Sequence, residues 1–217
     1  MRCLSLALLM LAGALSAQET ANIARLRRQC VVSPRLRSDV TSYRITWGTV
    51  RFERFARLGG NDYYTQLCYP KEWMGKAADA ARRTAALYAG VWRVPTGKNL
   101  ATLEHFVFQD QGQVQAPRKL QTPMGTVWYL PAPCICASKV HLDSYFLVKE
   151  QKLRRLDTDS WERDLRLPEG TTRGATPQLD LVAMEGHLPL SPSGNLQAKL
   201  RLEGSKLTVE KTGILPR

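Results

Sequence analysis

After residue 17 the chain lacks any apolar run close to the roughly 20 residues that cross a bilayer as a helix. That excludes a helical span beyond the leader. No Gly-x-Ser-x-Gly elbow, Ser-x-x-Lys, His-Glu-x-x-His, phosphate loop or dinucleotide fingerprint occurs, so no familiar catalytic motif marks an enzyme. Histidine is scarce, with 3 in the chain: His105, His141 and His187. There is no repeat of fixed period, no low-complexity tract and no block of like charge. Acidic residues are outnumbered, 19 against 31 basic ones.

Residues 1–17 read as a secretory leader. Met1-Arg2 gives a short positive end, an apolar Leu/Ala run follows, and small residues precede Gln18-Glu19. No cysteine follows it to carry a lipid. Removing the leader takes Arg2 with it and leaves a net charge of +11 (30 − 19) on 200 residues (217 − 17). An exported chain of that length supports one sizeable core or two small ones. Its basic excess suits an anionic or amphiphilic envelope component or an acidic protein. It carries no specific nucleic-acid motif, because no aromatics interleave with Arg25, Arg27 and Arg28.

Export also bears on the cysteines. Cys3 leaves with the leader, and Cys30, Cys68, Cys134 and Cys136 remain in an oxidising space. Four cysteines allow three connectivities, and a Cys134–Cys136 bond would close a very small ring. The expectation is therefore two bridges, each tying one cysteine of the C-x-C to Cys30 or Cys68. These would fasten the N-terminal segment and the entrance to a helix onto the strand at Thr126–Leu130.

Most of the chain alternates as strands do. Tyr43, Ile45 and Trp47 lead to a break or bulge at Gly48, and Val50 and Phe52 continue. Gly59 to Asp62 is turn text, and Tyr63–Tyr69 follows as a strand. Leu103–Gln109 and Gln113–Gln115 suggest a hairpin. Residues 116–125 read as loop. Lys139–Lys149 turns at Glu150-Gln151 into Lys152–Leu156. Residues 161–167 and Gln178–Met184 read as further strands.

The C-terminal hairpin has the clearest pattern. A Gly204-Ser205 turn sets Glu203 opposite Lys206, Leu202 opposite Leu207, Leu200 opposite Val209 and Lys199 opposite Glu210. Helical text occurs twice. Ile23, Leu26 and Cys30 allow a turn or two. Pro70 to Gly90, with Met74, Ala77, Ala81, Ala85 and Tyr88 at helical spacing, predicts the main packing helix.

The fold class expected is α+β: a large, mostly antiparallel sheet, open or curled, with the helix at 70–90 packed on it and disulfides stapling both. Residues 18–217 read as one domain, with a weak boundary in the Gly/Thr/Pro-rich stretch 168–177.

The reading that follows is an exported periplasmic or extracellular protein with a non-catalytic binding or structural role. It calls for no cofactor and no metal. Two alternatives carry chemistry. His141-Leu-Asp143 would place an imidazole and a carboxylate on one strand face, as a hydrolase base and its orienting acid require. Cys134 and Cys136 could serve as a thiol–disulfide or metal-binding pair, although zinc text normally has two close pairs. Trp47, Trp73, Trp92, Trp128 and Trp161 are read as packing residues.

Overall fold

The computed structural model describes residues 19–34, 36, 45–71, 86–109, 113–133, 143–156, 178–189, 196–203 and 206–214. Strands make up 67 % of these, which makes the described chain a β protein with one short helix. The expected main helix does not extend over its predicted ends. Pro70 closes a strand and Tyr88–Gly90 opens another, while residues 72–85 lie outside the described set. The ends misled because Tyr88 to Val94 is apolar on both faces. Such a strand loses its alternation and resembles a buried helix.

The first sheet has five antiparallel strands. In chain order they are β1 (Thr20–Asn22), β2 (Trp47–Leu58), β3 (Asn61–Pro70), β4 (Tyr88–Pro95) and β5 (Leu100–Phe108). A short helix, α1 (Ile23–Arg28), follows β1. β2 to β5 run as a meander, and β1 then pairs with β5. The expected bulge at Gly48 is present, with Trp47 opposite Pro70 and Thr49 opposite Tyr69. A second register shift lies between Arg54 and Ala56. The edge strand β2 also carries Arg51, Glu53, Arg54 and Arg57, and bulges and charges discourage strand addition by another chain.

Two four-stranded antiparallel sheets follow, in place of one large curled sheet. The middle sheet joins β6 (Arg118–Thr122), β7 (Gly125–Leu130), β8 (Ser144–Lys149) and β9 (Lys152–Arg155) in sequential order. β6 corrects the expected loop at 116–125. Val114, expected to return beside 103–109, bridges Ala86 instead. The third sheet joins β10 (Gln178–Asp180), β11 (Glu185–Pro189), β12 (Leu196–Glu203) and β13 (Lys206–Ile214). Its last hairpin keeps the expected register from Glu203/Lys206 to Leu200/Val209. A shift then sets Lys199 opposite Lys211, yet the Lys199 ammonium still reaches Glu210 at 3.1 Å and Glu185 at 3.0 Å.

The three sheets stack, and the middle one is covered on both faces. Its Leu130, Phe146 and Trp128 pack with Leu67, Ala89, Val91 and Val107 of the first sheet. Its Val127 and Tyr145 pack with Leu181, Leu188, Ala198, Leu200 and Leu202 of the third. Alternation along β7 and β8 sends neighbouring side chains to opposite layers.

The N-terminal arm covers the remaining face of the first sheet. Leu26 of α1 is fully buried against Trp92, Val94 and Ala101. Asn22 caps the helix by accepting from the Ala24 N–H at 2.8 Å. Gln66 of β3 is fully buried and serves as a clamp. Its Nε2 donates to Leu26 O at 2.6 Å and to Gln29 O at 3.0 Å, and its Oε1 accepts from the Val31 N–H at 3.1 Å. Two residues along the same strand face, Cys68 is bonded to Cys30. This corrects the expected pairing of Cys30 and Cys68 with Cys134 and Cys136, which lie outside the described residues. The arm crosses β3 directly, so its cysteine meets the one beneath it.

Candidate functional site

A cleft of about 310 Å³ opens where the β8–β9 hairpin meets the first sheet. Asn61 and Tyr63 of β3, Arg93 of β4, Glu104 of β5, and Lys152 and Leu153 of β9 line it. Local sequence makes each wall. Glu150 and Gln151, both at positive φ, form the tight turn before Lys152. That turn rests on Gly59, which has φ +50°. A Cβ at Gly59 would lie 2.5 Å from the Gln151 carbonyl oxygen, so only glycine allows the two hairpin tips to meet there. The Leu153 N–H points to the Tyr63 hydroxyl at 3.5 Å, a long contact.

The cleft's charges are arranged unequally. Arg93 Nε donates to Glu104 at 2.6 Å, and Arg93 Nη1 lies 3.4 Å from Asn61 Oδ1. Both partners of this ion pair are about a third exposed, at 32 % each. The pair therefore fixes a guanidinium more than it stabilises the fold. The Lys152 side chain is exposed and has no ion-pair or hydrogen-bond partner among the described residues. The lining thus holds two cations and one carboxylate.

One row deeper between the same two sheets, His105 Nε2 lies 2.8 Å from the Ser144 hydroxyl. Sequence reading placed His105 on a strand but could not supply its partner from β8. Burial, with a smaller push from Arg155, lowers the His105 pKa to about 3 and keeps the ring neutral. The rings of Phe146 and Phe106 stand 5.7 and 6.4 Å away. A serine nucleophile needs a base that a third group orients, and an open place for substrate. Ser144 is 3 % exposed, and no carboxylate is bonded to His105 among the described residues. The pair is a polar tie between two packed sheets.

Asp143, expected beside His141, lies just before β8 and is buried. Its Oδ1 accepts from the Ala132 N–H at 2.7 Å, and its Oδ2 from the Tyr129 hydroxyl at 3.2 Å. Tyr129 belongs to the layer facing the third sheet, opposite to Phe146. Asp143 and Ser144 are adjacent in sequence but turn to different layers, so they do not combine on His105. Burial, then the Asp143 charge, raises the Tyr129 pKa to about 12. The carboxylate here ties the start of β8 to Tyr129 and Ala132 at the end of β7. His141 lies outside the described residues, and His187 sits exposed on β11. Among the described residues no three His, Cys, Asp or Glu side chains gather as a metal site, and no helix is long and apolar enough to cross a membrane.

No protein-family model, curated protein or solved structure matches this chain.

Proposed function

We propose that the protein is exported and binds an anionic envelope component, without catalysis, through the Arg93–Lys152 cleft. The observation that carries this reading is the unpaired Lys152 ammonium beside a guanidinium already fixed in orientation. Such a pair has charge to offer and geometry to direct it. The leader at 1–17 and the Cys30–Cys68 bond fit an oxidising compartment. The groups most like catalytic ones, His105, Ser144 and Asp143, have structural partners instead.

Sedimentation with vesicles tests the binding. The mature chain should pellet with phosphatidylglycerol vesicles and not with phosphatidylcholine, and raised salt should release it. Equal behaviour with both lipids would remove the electrostatic basis of the reading. In the same cells, the protein should be recovered outside the cytoplasm with its mass reduced by the leader.

A second reading follows from the disulfide. Cys30 and Cys68 satisfy each other, which takes both expected partners from Cys134 and Cys136. A thiol or metal role for that C-x-C pair is thereby favoured over stapling. Thiol titration of the denatured, unreduced mature protein should find two free thiols. Finding none would leave Cys134 and Cys136 oxidised and end the metal-ligand version.

A further inference from the structure

We infer that the cleft selects a singly charged organic oxyanion, of which a phosphodiester is the type, over a doubly charged phosphate. The inference rests on the binding reading above and adds the ligand's charge and the residues that set it. Arg93 and Lys152 contribute two positive charges to the lining and Glu104 one negative charge, which leaves a net +1. Glu104 is held against Arg93 at 2.6 Å and cannot leave without giving up that bond. A monoanion would neutralise the site. A dianion gains more attraction but loses far more hydration, and it would leave an excess negative charge facing the Glu104 carboxylate.

The donors divide the task. Arg93 spends Nε on Glu104 and aims Nη1 at Asn61, so its guanidinium plane is set before any ligand arrives. Lys152 brings a point charge on a flexible stem from β9, and its ammonium has no partner among the described residues. One oriented fork and one adjustable ammonium suit an anion with two equivalent oxygens. Leu153, half-buried on β9, supplies carbon surface for the ester groups of such a ligand. The β8–β9 tip seated at Gly59 holds Lys152 and Leu153 over the first sheet.

The test uses the whole mature protein, with dimethyl phosphate as the monoanion and methyl phosphate at pH 8 as the dianion, followed by amide chemical shifts. Dimethyl phosphate should shift residues 61, 93, 104 and 152–153, and methyl phosphate should bind at least about threefold more weakly. Glu104→Gln keeps an oxygen acceptor for Arg93 and removes the charge. It should reverse the preference, strengthening methyl phosphate roughly tenfold. Lys152→Ala should weaken dimethyl phosphate by about tenfold, and Lys152→Arg should restore most of it.

A dianion preference in the parent protein, or an unchanged preference in Glu104→Gln, would overturn the inference. So would full binding by Lys152→Ala. If no probe shifts the cleft while the protein still pellets with phosphatidylglycerol vesicles, this inference fails and the broader binding reading stands. Vesicle pelleting lost in Lys152→Ala assigns the oxyanion to a lipid head group. Dimethyl phosphate binding without vesicle pelleting assigns it to a soluble phosphodiester.

Discussion

Replacing Gln66 with leucine should destabilise the protein by about 4 kcal/mol, as read from the midpoint of urea unfolding. The substitution is similar in size, so the loss is one of partners rather than volume. Leu26 O, Gln29 O and the Val31 N–H would each lose the bond that Gln66 now provides. Leaving the buried Leu26 O and Val31 N–H unpaired costs about 1–3 kcal/mol each, and the partly buried Gln29 O less.

Breaking the Cys30–Cys68 bond by Cys30→Ala with Cys68→Ala should cost a similar amount. Its sequence separation of 38 corresponds to about 4 kcal/mol of loop-closure entropy. Either change consumes much of the roughly 5–15 kcal/mol that holds an ordinary domain folded. The two should not add, because both fasten the same arm across the same strand. Full additivity in the combined variant would mean that the clamp and the bridge hold separate units.

The second large effect is on acid stability. Burial depresses the His105 pKa to about 3 in the folded chain, against about 6.5 in the unfolded one. Between those values the unfolded state binds the extra proton. The stability due to a neutral His105 is therefore complete above pH 6.5 and is lost as pH falls toward 3. The loss approaches 1.4 kcal/mol per pH unit, or about 3 kcal/mol between pH 6.5 and 4.

The groups facing the ring include Ser144 and Phe146 of β8, Phe106 of β5 and the Arg155 cation of β9. Arg155 opposes a second positive charge in the same place. His105→Gln should flatten the fall in stability across this window, whatever it does to stability at pH 7. A parallel fall in parent and variant would show that the ring does not titrate with unfolding.

Asp62 acts in a different window. Its hydrogen bond from Arg57 at 2.6 Å, with Arg57 and Arg54 as nearby charges, holds its pKa below the ordinary carboxylate value. Its contribution is present above the unfolded pKa and is lost only as pH falls through the lower folded one. Both arginines are largely exposed, so solvent screening keeps this contribution small. The slope between pH 6.5 and 4 therefore belongs to His105 more than to the carboxylate.

The sequence was most legible where one turn decided one pairing. Glu150-Gln151 and Gly59-Gly60 mark their hairpins directly, and Leu196 to Val209 carries its register in its charges and leucines. Legibility failed where environment replaced pattern. β4 is buried on both sides and does not alternate, so its start reads as the end of a helix. β6 lies between Pro117 and Pro123 at a sheet edge, mostly exposed, and reads as loop. Excluding a small Cys134–Cys136 ring points Cys30 and Cys68 to other partners, because it says nothing of how the arm crosses β3. The cleft was beyond the sequence altogether. Its walls come from strands of two sheets, and Lys152 is beside Arg93 only because two hairpin tips dock at Gly59.

The pairing of β1 with β5 has a consequence for the order of assembly. β2 to β5 can form by successive hairpins, each joining neighbours in the chain. Ala21, by contrast, finds its partner at Ala101, and Leu26 packs on Trp92 and Val94. The β1 end of the arm has no strand to pair with until β5 is in place, whereas the Gln66 and Cys68 fastenings on β3 are available once that strand has formed. Cys30 can therefore meet Cys68 on β3 before β1 finds β5. Among the described strands, β1 is thus first in the chain and last to find its partner, and the Cys30–Cys68 bridge shortens that search.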